Sequence, residues 1–124
     1  MERGDDVRLS VTKEEDVVAV SVEGNLDYYT APLLRDEIER VTGGPATVIE
    51  VRLGAINVID SSGLSALVCA YKLSRARGKE LVLRGEADTV SRLLRRTALD
   101  RVIPMRPPLR PPSGAESDPA AASA

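Results

Sequence analysis

The sequence predicts an α/β domain built on a mixed β-sheet of four to five strands. Short runs rich in β-branched residues alternate with longer segments in which apolar residues recur at helical spacing. Glycine or proline separates most of these segments, as is typical of turns between elements. The resulting order is β-β-α-β-α-β-α-β, in which helices cross between the strands of one sheet.

Two strands open the predicted domain. Val7, Leu9 and Val11 alternate with polar residues, which predicts a strand with one wet face at the edge of the sheet. Residues 17–22 form a nearly continuous β-branched run, which is typical of a strand covered on both faces. The polar residues 13–16 between the two runs predict a hairpin, and residues 24–27 break the second strand.

The first predicted helix begins after Thr30 and stops at residues 43–45. Thr30 is a candidate N-cap, and Pro32 lies in the first turn, where its missing N–H costs nothing. The apolar residues of this helix share one face: Leu34, Ile38 and Val41. Residues 47–53 predict the next strand, and a further apolar run reaches Ile59.

The second half of the domain repeats this alternation of helix and strand. Residues 61–77 predict a helix whose apolar surface is wider than one stripe, which indicates burial on most sides or an apolar face awaiting a partner. A buried strand over residues 80–83 and a helix over residues 87–97 follow, and Val102 and Ile103 predict a short last strand or extended segment. We expect residues 1–6 to be frayed, residues 7–105 to form the domain, and the Pro/Ala/Ser-rich residues 106–124 to be a disordered tail.

The composition excludes several classes of function. The formal charge of −2 offers no basic patch for nucleic acid, and no apolar run approaches the ~20 residues of a membrane helix. The absence of histidine removes the commonest general base and metal ligand, which counts against an enzyme. Cys69 is the only cysteine, so no intramolecular disulfide can form, and a reducing cytoplasm is the expected compartment.

Residues 58–64 place two serines where a strand meets a helix. Asp60, Ser61 and Ser62 are all good N-caps, and a helix start of this kind tolerates negative charge. From local chemistry alone, a well-capped helix is the favoured interpretation. A serine nucleophile would need a base, and the chain has neither a histidine nor the G-x-S-x-G pattern. Scattered carboxylates and a lone cysteine form no metal-ligand set, so we expect no metal and no cofactor.

Three stretches of the chain resemble the bacterial anti-sigma factor antagonists, members of the STAS domain superfamily. They are residues 24–27 followed by Thr30 and Ala31, residues 58–64, and the Leu93-Leu94 helix before Leu99. The resemblance covers roughly residues 7–105 and implies a small mixed sheet with helices packed mainly on one face. The chain departs from the family at Ser65, where glycine is usual, and at Asn25, where many members have glutamate.

The resemblance implies a partner-switching regulator that is not an enzyme. The unphosphorylated antagonist would bind an anti-sigma factor with serine kinase activity and release the sigma factor. Phosphorylation at Ser61, with Ser62 as the alternative acceptor, would block binding, and a PP2C-type phosphatase would restore it. We expect a monomer before partner binding, with no direct contact to nucleic acid or membrane.

The docking surface predicted for this switch combines the motif serines with the loop of residues 27–30. Asp27 and Asp60 are expected to shape the loop and orient the acceptor hydroxyl, and Gly63 is expected to let the backbone approach what docks there. The full predicted set is Asp27, Tyr28, Thr30, Asp60, Ser61, Ser62, Gly63, Leu64 and Ser65. Two other functions stay open at this point: a constitutive STAS scaffold or transport-complex subunit whose serine is never modified, and a hydrolase using Ser61.

Overall fold

A computed structural model describes residues 7–85 and 88–106, which form a mixed sheet and three α-helices. The elements are β1 (Val7–Glu14), β2 (Val17–Leu26), α1 (Ala31–Thr42), β3 (Val48–Ile59), α2 (Ser61–Ala76), β4 (Glu80–Arg84), α3 (Asp88–Arg96), a short 3-10 helix (Leu99–Arg101) and β5 (Met105–Arg106). The predicted α/β class and order of elements are confirmed. The predictions of a frayed N-terminus and a disordered tail concern residues 1–6 and 107–124, which lie outside the described residues.

The five strands lie side by side in chain order, from β1 at one edge to β5 at the other. β1 pairs with β2 in an antiparallel hairpin, as predicted, whereas each later pair of neighbours is parallel. Every crossover between parallel strands therefore moves in the same direction across the sheet. Because such crossovers are right-handed, α1, α2 and α3 lie on the same face.

One face of the sheet and the three helices enclose the hydrophobic core. Alternate strand residues point into this core, since successive side chains in a strand face opposite sides. The core includes Val18, Val20 and Val22 of β2, Ile49, Val51 and Leu53 of β3, Leu81 and Leu83 of β4, Leu34 and Ile38 of α1, Ala66, Leu67 and Ala70 of α2, and Val90 and Leu94 of α3. The packing of α1 against α2 in this core fixes the relative position of the two helices that border the candidate site.

The opposite face of the sheet buries a carboxylate within an ion-pair network. Glu50 accepts hydrogen bonds from Arg52 Nε at 2.9 Å and from Arg84 Nε at 2.8 Å. Burial of a charged group is tolerated when it is paired and hydrogen-bonded in this way. Ala19 and Val82 occupy the neighbouring positions of the same register row and are also buried. Val17 and Ser21, on the same face of β2 as Ala19, are only half-buried, so the predicted cover on both faces of β2 is found at Ala19 alone.

Two strands, β2 and β3, extend beyond their predicted ends. β2 continues through Gly24, which adopts a positive φ of 102°, to Leu26, where a break was expected. β3 continues through Gly54 to Ile59 as one strand. A Cβ built on Gly54 would lie 2.8 Å from the Gly85 carbonyl oxygen, so the missing side chain avoids a clash at this position.

The predicted last strand at Val102 and Ile103 is wrong, because the backbone N–H groups of both residues donate to the carbonyl of Leu99, the first residue of the 3-10 helix. The strand that pairs with β4 is Met105–Arg106. Arg106, expected in the tail, therefore belongs to the sheet. No α-helix among the described residues is long and apolar enough to cross a membrane.

Candidate functional site

The two segments singled out in the sequence meet at one edge of the sheet. Leu26, the last residue of β2, pairs with Ile59, the last residue of β3. Because the two strands are parallel, the residues that follow each of them emerge at the same edge. Binding sites of α/β sheets commonly lie outside such carboxyl ends. The loop of residues 27–30 and the start of α2 are therefore neighbours.

Asp60 joins these two segments through both oxygens of its carboxylate. It occupies the N-cap position of α2, where Oδ1 accepts a hydrogen bond from the Gly63 amide at 3.0 Å. Oδ2 accepts a hydrogen bond from the amide of Tyr28 in the loop at 3.3 Å. The backbone amide of Asp60 also donates to the Leu26 carbonyl at 3.3 Å. One side chain thus caps the helix and holds the loop beside it.

The loop itself is held by Asp27 and Thr30. Asp27 Oδ1 accepts hydrogen bonds from the amides of Tyr29 at 3.0 Å and Thr30 at 3.1 Å. Thr30 Oγ1 accepts from the Asp27 amide at 2.9 Å and donates to the Asn25 carbonyl at 2.7 Å. Thr30 stands at the N-cap position of α1 as expected, but its side chain makes no cap hydrogen bond, because the hydroxyl is bonded back into the loop. Thr30 is fully buried, so it cannot contact a partner directly and contributes only by fixing the shape of the loop.

Gly63 has a different role from the one expected. It is buried, and a Cβ built on it would lie 2.3 Å from the Leu26 carbonyl oxygen and 2.9 Å from Ile59 Cγ1. The missing side chain therefore makes room for the protein's own strands. The expectation that Gly63 allows a docked molecule to approach is corrected, since Leu26 and Ile59 already occupy that space.

A surface cleft of about 630 Å³ opens between the loop, the start of α1 and the start of α2. Its lining residues are Tyr28, Tyr29, Ala31, Pro32, Arg35, Ser61, Ser62 and Ser65. Ser61 and Ser65 are exposed and Ser62 is half-buried. Tyr28 and Tyr29 are 70% and 57% exposed, and their rings meet edge to face at 5.4 Å. The structure therefore brings the three serines together with Tyr28, whereas Leu64 is half-buried and packs against the core.

The chemistry of the cleft favours a docking or modification site. Ser61 and Ser62 make no side-chain hydrogen bond with any described residue, so neither hydroxyl is held by a base. The adjacent Asp60 carboxylate is already bonded to two backbone amides, whereas a serine nucleophile needs an oriented base. Within the described part of the chain, no three histidine, cysteine or acidic side chains come together as metal ligands.

Comparison with known proteins shows the family to which the chain belongs. The STAS domain profile matches residues 8–110. The chain belongs to the STAS domain family. Within that family, an anti-sigma-B factor antagonist from Listeria monocytogenes is 33% identical over 94 residues, covering 76% of this chain and 82% of that protein. The anti-sigma-B factor antagonist of Bacillus subtilis is 27% identical over 97 residues, covering 78% of this chain and 88% of that protein.

A solved structure matches both the sequence and the fold of this STAS domain. The crystal structure of an anti-sigma factor antagonist from Mycobacterium paratuberculosis superimposes with a TM-score of 0.71 at 31% identity, covering 88% of this chain and 92% of that one. The predicted resemblance is thereby confirmed, together with the mixed sheet and its one-sided helices. The anti-sigma factor antagonists to which the chain is related are regulators and not enzymes.

One wall of the STAS cleft was not predicted from the sequence. Ala31, Pro32 and Arg35 belong to the first turns of α1, and Arg35 lies outside the apolar face that the helical pattern predicts. Residues three apart share a face of a helix, so the spacing of Pro32 and Arg35 was the one available signal. Only the packing of α1 against α2 brings that face beside the serines.

Proposed function

We propose that this STAS domain works as a partner-switching antagonist. In its unphosphorylated form it binds an anti-sigma factor with serine kinase activity, and the sigma factor is released to activate transcription. Phosphorylation of Ser61 prevents this binding, and a PP2C-type phosphatase reverses it. The observation that carries the proposal is the exposed Ser61 hydroxyl, which lies in a cleft directly after the helix-capping Asp60.

Exposure supports Ser61 over Ser62 as the acceptor. Ser61 is exposed at the first position of α2, whereas Ser62 is half-buried. A kinase must reach the hydroxyl with its nucleotide, so the more accessible side chain is the better acceptor. A phosphoryl group at the first turn of a helix is also compatible with the helix dipole, and the fold need not change.

The proposed docking surface is smaller than the set of motif residues. Tyr28, Ser61 and Ser65 are exposed and can contact a partner directly, while Ser62 and Leu64 are partly accessible. Tyrosine is enriched at the centres of protein interfaces because it combines apolar area with a polar end. Asp27, Thr30 and Gly63 instead determine the shape of this surface through the hydrogen bonds and close packing described above. Asp60 also shapes it through its hydrogen bonds, although its residue is exposed.

Charge explains how one phosphoryl group can release the partner. Phosphorylation adds roughly −1.5 to −2 charges at pH 7. A partner surface fitted to a neutral hydroxyl would have to desolvate this charge close to the Tyr28 ring and the Asp60 carboxylate. A penalty of about 3 kcal/mol weakens binding more than ~100-fold. A penalty of that size is sufficient for a switch.

The proposal includes a cellular setting. We place the domain in the cytoplasm as a monomer before it binds its partner, with no direct contact to nucleic acid or membrane. Support comes from the single cysteine, since Cys69 is exposed and no disulfide within the chain is possible, which fits a reducing compartment. The net charge of −2 likewise gives no electrostatic reason for binding nucleic acid.

The direct test combines a purified anti-sigma factor kinase from the same organism with wild-type protein and the Ser61→Ala and Ser61→Asp variants. We expect wild type to be phosphorylated at Ser61 by peptide mass spectrometry and Ser61→Ala to bind with unchanged affinity but resist phosphorylation. Ser61→Asp should bind at least 100-fold more weakly in titration calorimetry. Ser65→Ala is the matched control, because Ser65 lines the same cleft one turn along α2.

Three results would contradict the proposal. Unreduced phosphorylation of Ser61→Ala would show that another residue is the acceptor. Equal binding by wild type and Ser61→Asp, with no phosphorylation of either, would favour the constitutive scaffold or transport-complex subunit instead. Ser61-dependent ester hydrolysis would favour a hydrolase.

A further inference from the structure

Arg35 lines the cleft from α1, whereas the serines line it from α2. It lies on the second turn of α1 and lines the same cleft as Ser61, Ser62 and Ser65. Among the described residues, it is the only charged side chain that lines this cleft. A second cavity of about 170 Å³ between α1 and α2 is also bordered by Arg35, together with Glu39 and Cys69. Arg35 therefore stands where the α1–α2 groove opens into the serine cleft.

The Arg35 guanidinium has no partner within the described part of the chain, where it forms neither a hydrogen bond nor an ion pair. Its neighbours on α1 differ, since Arg40 pairs with Glu37, and Glu39 meets Arg77 at 3.9 Å. Glu39 is four residues after Arg35, a spacing that permits an ion pair on a helix, yet the pair is not formed. An exposed cation thus lines the same cleft as the serines, with no counter-charge among the described residues.

We propose that Arg35 receives the phosphoryl group of phosphorylated Ser61, forming an ion pair across the cleft that exists only in the phosphorylated protein. This inference rests on the proposed function, because it concerns the state in which Ser61 is modified. The planar guanidinium donates in a fixed fork that matches two phosphate oxygens, so the pair can be bidentate.

The local charges favour this pairing. The Asp60 carboxylate next to Ser61 already accepts hydrogen bonds from two amides. Its negative charge opposes a second anion beside it, and a nearby cation offsets part of that repulsion. Arg35 supplies that cation from α1, and α1 is fixed to α2 by the core residues of both helices. The phosphorylated serine would then be drawn toward α1.

The test measures the phosphoryl group itself and uses no kinase. Phosphoserine is incorporated at position 61 during translation, and its second pKa is measured by ³¹P NMR titration in the full chain. The guanidinium favours the dianion, so the pKa in the Arg35→Gln variant should be higher than with Arg35 present by about 0.5. Because the pair is exposed, the difference should shrink in 1 M salt.

Arg40→Gln is the matched control, because it removes the same charge from the same helix at a residue that does not line the cleft. It should titrate like the Arg35-containing protein. Equal phosphoserine pKa values in Arg35→Gln and Arg40→Gln would overturn the inference while leaving Ser61 as the acceptor. Conversely, absence of kinase-dependent phosphorylation would defeat the proposed function without altering this titration, so the two failures are distinguishable.

Discussion

Replacement of Gly63 by alanine tests whether the close packing of α2 against the sheet sets the position of the serines. In the native protein, the backbone at Gly63 approaches β2 so closely that an added Cβ would lie 2.3 Å from the Leu26 carbonyl oxygen. The same atom would lie 2.9 Å from both Leu26 Cγ and Ile59 Cγ1, and real Cβ atoms essentially never come within 3.0 Å of such neighbours. Gly63→Ala must therefore displace the start of α2, the end of β2, or both.

The size of the effect follows from two opposing contributions. The new Cβ would lie 2.3 Å from the Leu26 oxygen, so it must move away by at least about 0.7 Å to reach 3.0 Å. Overpacking of this kind costs about 1–3 kcal/mol. Alanine is favoured over glycine within a helix by up to about 1 kcal/mol, which offsets part of the cost. The retreat also stretches the two 3.3 Å hydrogen bonds that join Asp60 to Leu26 and Tyr28. We expect a net loss of about 2 kcal/mol.

Urea unfolding followed by circular dichroism measures this loss, which corresponds to a fall in Tm of roughly 10 °C for a domain of this size. Gly43→Ala is the matched control, because Gly43 has a φ of −81° and its added Cβ would meet the Arg40 carbonyl at an ordinary 3.5 Å. The control should stay within about 0.5 kcal/mol of wild type. If both variants unfold at the same urea concentration, the packing of α2 against Leu26 does not constrain the site, and our explanation of Gly63 is wrong.

Two further substitutions test the hydrogen bonds around the site and across the sheet. Asp60→Ala removes the cap of α2 and the hydrogen bond to the Tyr28 amide in the loop. The free energy of unfolding, measured in urea, should fall by about 1–2 kcal/mol. Affinity for the anti-sigma factor should fall as well. Asp36→Ala, at an exposed position of α1, is its control, and an equal loss in both variants would contradict a specific role for the cap. Glu50→Gln removes the carboxylate charge from two arginine partners that stay partly solvated, so we expect a loss of about 1–2 kcal/mol by the same assay. The exposed Glu80→Gln change should cost much less, and equal costs would show that the buried network adds nothing.

The order of elements was predictable because each long element has its own local signal. The alternation in β1, the β-branched run in β2 and the helical spacing in α1 are all visible within ten or so residues. β5 has only Met105 and Arg106, too few residues for any period, and it is a strand only because it pairs with β4. Gly24 looked like a strand end, yet its positive φ accompanies a register shift within a continuing strand.

The candidate site was predictable on one side of the cleft only. Asp60, Ser61 and Ser62 form a local pattern, and the resemblance to a known family added the loop of residues 27–30. The position of Arg35 depends on how α1 packs on α2, which no local pattern encodes. The bond from the Tyr28 amide to Asp60 joins residues 32 apart and likewise depends on the pairing of β2 with β3.

The residues around Ser61 divide into those that fix the backbone and those that remain available. The Asp60 carboxylate accepts hydrogen bonds from two amides, and Gly63 packs closely against the ends of β2 and β3. Both residues therefore restrain the first turn of α2. Ser61 lies between them, exposed and without a side-chain hydrogen bond to any described residue. Phosphorylation of its hydroxyl therefore breaks no side-chain hydrogen bond to a described residue. The modification changes the free energy of partner binding rather than that of folding. A switch at this position can alter partner affinity by orders of magnitude while the domain keeps its structure.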